Sequence, residues 1–270
     1  MLFKDIKCPN CEAYHDPTLE KCPECNNSNE LFKLNRVPKR VVFLHPICQV
    51  AMFIIGFAYA GMYLADLFFA SFIRGMDADN IYKSTLLMTC TYLLMFVGLM
   101  AVPLFSRRKS FFGKFTNGID YIYGLAYAIT VLAAGALLNA LISIAHTPAD
   151  NVNQTNVELI ATNYPLVGIF IMGIIGPICE ELTYRVGLYS FFRRINKYLA
   201  FALTMFFFAM IHFTFDAANM VEELWSFPSY LLSGFLLTLA YEHRGPACSI
   251  TAHVSYNLIA LMMVMVQSNG

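Results

Sequence analysis

From Val41 to the end, the chain alternates long apolar runs with short polar breaks. The runs fall at roughly 43–71, 85–106, 119–145, 164–191, 198–213, 228–242 and 247–267. About 20 apolar residues in helical geometry cross the hydrocarbon core of a bilayer. Five runs meet that length, and the fifth and sixth fall short of it. Residues 1–40 break the pattern, being polar and holding seven Lys/Arg and four of the eight cysteines. The expected architecture is an all-α polytopic membrane protein, about seven transmembrane helices around a polar cavity, preceded by a small N-terminal domain. The expected boundaries are 1–30 for that domain, 31–42 for a basic linker and 43–270 for the transmembrane domain.

Composition agrees with the pattern. The 270 residues are 58% hydrophobic and 13% charged, with mean hydropathy +0.56, whereas soluble domains carry about 25% charged residues. A formal net charge of zero argues against a nucleic-acid partner. No apolar stretch follows the first basic residues, so the first run is expected to act as an uncleaved anchor. The basic residues also orient the chain. With a cytoplasmic N-terminus, fifteen of the eighteen lie in inside segments, among them Arg107, Arg108, Lys109, Arg193, Arg194, Lys197 and Arg244. Only Arg74 and Lys83 fall outside, and Arg185 lies within a span. Cytoplasmic retention of Lys/Arg predicts a multi-pass protein of the cell membrane, N-terminus inside, in contact with lipid.

Cys8-Pro9-Asn10-Cys11 and Cys22-Pro23-Glu24-Cys25 form two CxxC knuckles ten residues apart. Four thiolates so spaced can close a tetrahedral shell around Zn²⁺, and so short a polar segment needs such a staple. A disulfide framework is disfavoured in a cytosolic segment, and redox CxxC motifs seldom come as matched pairs. A structural zinc ribbon is expected, a candidate surface for a cytosolic protein partner. Cys48, Cys90, Cys179 and Cys248 stand singly in or beside apolar runs and are read as packing residues.

Ionisable groups within hydrocarbon are costly and persist only when paired or facing a polar cavity. The fourth run holds Glu180, Glu181 and Arg185, the fifth ends on His212, and the seventh holds His253 and Asn257. Glu181 and Arg185, four apart, share a helix face and form a natural ion pair. Glu180 lies about 100° away and lacks that partner. Pro177 after Gly176 is expected to start a fresh helical segment just before the acids. At about 1.5 Å per residue, Glu180 sits about 20 Å above Arg193 and His212 about 22 Å above Lys197. His253 and Asn257 sit about 14 and 20 Å above Arg244. Three spans thus bring polar groups to one level, which points to a shared site. Asp66, His45 and His146, near run ends, are assigned no role, and Glu222 and Glu223 are expected in a solvated outside loop.

Glu180-Glu181-x-x-x-Arg185, Phe208-x-x-x-His212 and His253-x-x-x-Asn257, in that order, resemble the three motifs of the CAAX protease and bacteriocin-processing family of intramembrane endopeptidases. The resemblance covers roughly residues 165–260, including the stretch from Tyr241-Glu242 to Asn257, and sets a peptidase core at about 163–264. It implies a helical fold around a cavity and hydrolysis of a peptide bond by activated water. Glu180 would be the general base, with His212 helping to hold and deprotonate the water. His253 and Asn257 would donate hydrogen bonds to the developing oxyanion, and Glu181 and Arg185 would brace the helix that presents Glu180. A catalytic metal is disfavoured because no HExxH pair is present. The implied partner is a membrane-associated peptide or protein substrate. The alternative is a non-proteolytic membrane scaffold or bacteriocin self-immunity factor that binds a peptide in the same cavity. A transporter fits less well, because the charged groups lie in the C-terminal half without an inverted repeat.

Overall fold

The computed structural model describes residues 6–15, 21–27, 38, 40–60, 71–146, 151–215, 218 and 220–268. Asp66, the end of the first apolar run at 61–70, most of the linker, and the basic residues Lys4, Lys33, Arg36 and Lys39 lie outside the described residues. The chain divides into two units, Met1–Lys39 and Arg40–Gly270.

In the first unit, strands β1 (Ile6–Lys7) and β2 (Tyr14–His15) pair antiparallel, Ile6 opposite His15. The two knuckles are built alike. Cys8 N–H donates to Ala13 O and Cys22 N–H to Asn27 O, both at 2.9 Å. The fourth residue after the first cysteine takes a left-handed conformation in each, Glu12 at φ 61° and Asn26 at φ 58°. Asn accepts this region readily and Glu does not, so the Glu12 turn is held by its surroundings, including the Lys7–Glu12 ion pair at 2.8 Å.

The second unit is all helix. Its main elements are α1 (Pro46–Ala60), α2 (Asn80–Ser106), α3 (Gly118–Ala145), α4 (Val152–Asn163), α5 (Pro165–Phe192), α6 (Lys197–Met210), α7 (Met220–Arg244) and α8 (Pro246–Ser268). Among the described residues α2, α3, α5, α7 and α8 are long and apolar enough to cross a membrane, and α1 and α6 are shorter apolar helices. These seven correspond to the seven runs. Two expectations need correction. The sixth run begins eight residues earlier than its apolar content shows, because Met220–Ser226 includes two acids inside the helix. The break before the fourth run contains α4, whose polar residues hid a helix capped by Asn151 accepting from Gln154 N–H.

The outer faces are apolar: Ile122, Ile129, Leu137, Leu141 and Ile144 form an exposed stripe along α3. Such a stripe suits lipid rather than water. The centre belongs to α5, 61% of whose most apolar window is buried, against 11% for α3. It packs against α1, α2, α6 and α8. Gly187 lets α1 approach, since a Cβ there would lie 2.9 Å from Phe53 N. The helix is continuous but not uniform. Gly168–Ile175 and Glu181–Tyr189 are π-helical, and the α-helical turn Gly176–Glu180 begins with Pro177 between them. Pro177 thus starts a fresh α segment without breaking the helix. Wide turns of this kind are rare and cluster at functional sites.

Candidate functional site

Glu180 and Glu181 straddle the change from α to π turns on α5. The Glu181–Arg185 pair forms as expected, Nη1 to Oε1 at 2.9 Å, with both side chains fully buried. Arg185 is held further by Gly234 O of α7, accepting from Nη2 at 3.2 Å, and by the Phe208 ring, 4.4 Å from the guanidinium carbon. A desolvated guanidinium over an aromatic face gains about 2 kcal/mol.

Helix α8 places His253 and Asn257 one turn apart. His253 Nδ1 lies 2.9 Å from Glu181 Oε1, and its Nε2 lies 3.8 Å from Glu180 Oε2. A carboxylate accepts only, so Nδ1 carries a proton, and Nε2 faces Glu180. Glu181 therefore does more than brace α5; it fixes the ring of His253. Glu180 also has a partner unseen in the sequence: the Tyr92 hydroxyl of α2, 3.4 Å from Oε1. Asn257 Nδ2 donates to Met172 O at 3.1 Å, which occupies one of its two amide hydrogens.

His212 is not in a helix. Helix α6, capped by Asn196 accepting from Leu199 N–H, ends at Met210, and His212 sits in the turn that follows. Its Nδ1 is 2.9 Å from Phe208 O. The carbonyl accepts, so Nε2 is left as an acceptor. The ring stacks on Tyr230, centroids 4.7 Å apart, and touches Phe208 at 5.0 Å. Phe208 is also 5.7 Å from the His253 ring, so one aromatic side chain joins both histidines and Arg185. Glu180, His253 and Arg185 all act electrostatically on His212. Contacts thus join five of the six site residues expected from the sequence, Glu180, Glu181, Arg185, His253 and, through Phe208, His212, and Asn257 lies one turn beyond His253 on α8. Phe208 had been noted only as a motif position, and Tyr92 and Tyr230 carried no sequence signal beyond being aromatic in apolar runs.

The expected solvated loop at Glu222 and Glu223 is not found. Both lie in the first turn of α7, and Glu223 is 1% exposed. Its two oxygens accept from Val152 N–H at 3.0 Å and Thr214 N–H at 3.1 Å, tying the segment after His212 to the start of α4. Glu222 lies 3.0 Å from His146 Nε2. Glu242, at the other end of α7, binds Arg193 at 2.9 Å and the Tyr189 hydroxyl at 2.9 Å, closing the end of α5 on α7.

In the N-terminal unit the four sulfurs of Cys8, Cys11, Cys22 and Cys25 lie within 4.8 Å of one another, Cys8–Cys25 at 3.7 Å and Cys11–Cys22 at 3.5 Å. A tetrahedron with bonds of about 2.3 Å to zinc has edges of about 3.8 Å, so the quartet fits that ion. Backbone hydrogen bonding at Asn27 lowers the Cys25 thiol to about 6. Ala13 acts likewise on Cys11, but the neighbouring sulfurs, Cys25 foremost, outweigh it and push that thiol up to about 12. Binding of a cation would displace the protons that sulfurs such as Cys11 still hold. The remaining four cysteines are free thiols, with Cys179 and Cys248 buried.

Comparison with known proteins agrees with the motifs. Residues 162–259 match the family described as type II CAAX prenyl endopeptidase Rce1-like. UPF0177 protein YbdI of Lactococcus lactis subsp. lactis (strain IL1403) is 33% identical over 93 residues, 34% of this chain and 46% of that protein. UPF0177 protein YvdC of the same strain is 25% identical over 154 residues, 57% of this chain and 55% of that protein. The chain spans about half the length of these relatives. No solved structure matches it significantly. The matched segment contains all three motifs, so the resemblance read from them is borne out.

Proposed function

We propose, from the Rce1-like match over residues 162–259, that the chain is an intramembrane endopeptidase that hydrolyses a peptide bond of a membrane-associated peptide or protein through glutamate-activated water. The observation that carries this reading is the contrast between two adjacent buried acids. Glu181 is held by Arg185 and His253, each at 2.9 Å. Glu180, 7% exposed, has only long contacts at 3.4 and 3.8 Å. A carboxylate so placed keeps lone pairs for water.

Glu180 takes a proton from that water as it attacks the scissile carbonyl carbon, and Nε2 of His212 accepts a hydrogen bond from the same water. A positioned general base contributes about 10²–10⁴-fold. The carbonyl oxygen gains negative charge and is met by the second amide hydrogen of Asn257 and by an N–H at Nε2 of His253, whose ring Glu181 orients. Removing one such donor costs about 10²–10³ in rate. Collapse of the tetrahedral intermediate breaks the C–N bond, and Glu180 returns its proton to the leaving amine.

The zinc ribbon and the orientation belong to the same proposal. Cys8, Cys11, Cys22 and Cys25 hold a structural Zn²⁺ on the cytosolic side, where the ribbon can meet a protein partner. The Arg193–Glu242 and Arg244–Asp120 pairs, at 2.9 and 3.6 Å, gather the basic residues at one end of the bundle, in keeping with that end being cytoplasmic. The test is comparative peptidomics of cell membranes carrying the wild-type chain or Glu180→Ala at equal abundance. A set of peptides lost in the variant is expected; identical peptide pools would sink the peptidase reading.

A further inference from the structure

A cavity of about 380 Å³ opens between α3, the start of α4, α7 and α8, at the end of the bundle away from Arg193, Lys197 and Arg244. It shares a wall with the site above. Tyr230 lines it, and the ring of Tyr230 stacks on His212 at 4.7 Å. The Tyr230 hydroxyl is fixed by Asn151 and Asn153, which donate to it at 3.0 and 3.1 Å. The wall is therefore rigid where it meets His212.

Among the described residues, the lining includes one carboxylate, Glu222, and neither Lys nor Arg. Gln154 in the wall donates to Glu158 at 2.9 Å, so a second acid stands behind it. Glu222 is 22% exposed, enough for a ligand to reach it. Both of its oxygens share the single Nε2 of His146 at 3.0 Å. A carboxylate has about four lone-pair sites, so acceptor capacity is left over. His146 itself is backed by Trp225, stacked at 5.1 Å and 6°. Together with Tyr230 and Tyr256, Trp225 gives the cavity aromatic walls, and aromatic faces favour a cation over an anion.

We propose that this cavity is a substrate subsite that accepts a basic side chain, lysine or arginine, of the peptide being cut. The inference rests on the peptidase reading and adds a substrate class to it: peptides with a basic residue near the scissile bond. One ring separates the cavity from His212, that of Tyr230, which lines the cavity and stacks on His212 at 4.7 Å.

The experiment uses the full chain in phosphatidylcholine nanodiscs, whose neutral headgroups do not attract the probe. The probes are fluorescein-labelled alanine–leucine dodecapeptides with one lysine, and the same peptides with norleucine or glutamate in its place. Binding is measured to the Glu180→Gln chain so that nothing is cut. Lysine peptides should bind roughly tenfold tighter than norleucine ones, the size of one charge-assisted hydrogen bond in a half-buried site. The ratio should fall to near one in Glu222→Gln and persist in Glu222→Asp, which keeps the charge. Equal binding of lysine and norleucine peptides, no binding of any lysine peptide, or a preference that survives Glu222→Gln overturns the proposal. A second arm gives the same peptides to the chain with Glu180 intact and locates the cuts by mass spectrometry. Absence of Glu180-dependent cutting would count against the peptidase reading, and the binding ratio would still decide the subsite.

Discussion

Replacing Glu181 or Glu180 by Gln should have opposite consequences, though the residues are neighbours. Glu181→Gln removes the negative partner of Arg185, whose guanidinium is fully buried with only Gly234 O and the Phe208 ring as further close contacts. Breaking a buried pair from one side costs about 3–5 kcal/mol, because the other charge stays behind without compensation. The same change weakens the hydrogen bond to His253 Nδ1. For a unit of this size about 4 kcal/mol corresponds to roughly 8–16 °C in melting temperature. Glu180→Gln is nearly isosteric and gives up only contacts at 3.4 and 3.8 Å, so its melting temperature should move by no more than about 2–4 °C, the equivalent of about 1 kcal/mol. Peptide cleavage should be lost in this variant. The assay is thermal unfolding of the detergent-purified chain followed by tyrosine and tryptophan fluorescence, beside cleavage of a substrate found by peptidomics. A double variant, Glu181→Leu with Arg185→Met, should recover much of the stability lost in Glu181→Gln, since two apolar groups leave no buried charge. Equal destabilisation by the two glutamine variants would refute the division of labour between these acids.

Purified protein should contain one zinc per chain by atomic emission, and Cys11→Ser should reduce it by more than half. Protons compete for the sulfurs, so metal retention should fall as pH is lowered and be greatest at neutral to alkaline pH. Gly187→Leu should destabilise by about 1–3 kcal/mol through overpacking against α1, where even a Cβ would lie 2.9 Å from Phe53 N; thermal unfolding reads this directly. Glu223→Ala leaves Val152 N–H and Thr214 N–H without their acceptor, at about 1–3 kcal/mol each, and should speed hydrogen exchange at Thr214. A Glu223→Ala chain with unchanged exchange there would mean that another group holds the turn after His212.

How much of this was legible in the sequence depended on whether a residue's role could be seen without its neighbours. The seven apolar helices were legible because a bilayer demands length and apolarity, both of which are local properties. The Cys8–Cys25 quartet was legible for the same reason: spacing alone brings four sulfurs together. The Glu181–Arg185 pair followed from helical periodicity. Helix α4 and the first turn of α7 were missed because their acids and amides resemble a loop until Glu223 is seen gripping two backbone N–H groups. The exit of His212 from α6 was invisible, since Met210, Ile211 and Phe213 would suit a continuing helix equally well. Nor does any residue pattern announce the π turns on either side of Gly176–Glu180, which change the direction of every side chain beyond them. The tyrosines that touch the site, Tyr92 and Tyr230, are two among fifteen in the chain.

Five buried acids, Asp120, Glu180, Glu181, Glu223 and Glu242, lie in or beside the helical core, and their bonding separates them more sharply than their position does. Glu242 has partners at 2.9 Å in Arg193 and Tyr189, and Glu181 has partners at 2.9 Å in Arg185 and His253. Glu223 takes two backbone N–H groups at 3.0 and 3.1 Å. Each of these three carboxylates makes short bonds and serves to join helices: Glu242 ties α5 to α7, Glu181 ties α5 to α8 through Oε1 while its Oε2 is buried without a hydrogen bond among the described residues, and Glu223 ties α7 to α4 and the turn after α6. Glu180 joins nothing tightly. A buried polar group in a folded chain normally finds close partners; Glu180, with contacts at 3.4 and 3.8 Å, and Asp120, whose ion pair with Arg244 is 3.6 Å long, are held more loosely. The packing around Glu180 is otherwise close: Cys179 and Leu182 on the same helix are fully buried, and Tyr92 is 3.4 Å away. What sets Glu180 apart from Asp120 is its surroundings, since it faces Nε2 of His253, 3.8 Å away. A group kept short of partners beside two oriented imidazoles is what a water-activating base requires, and it is the arrangement least expected of a residue retained for packing.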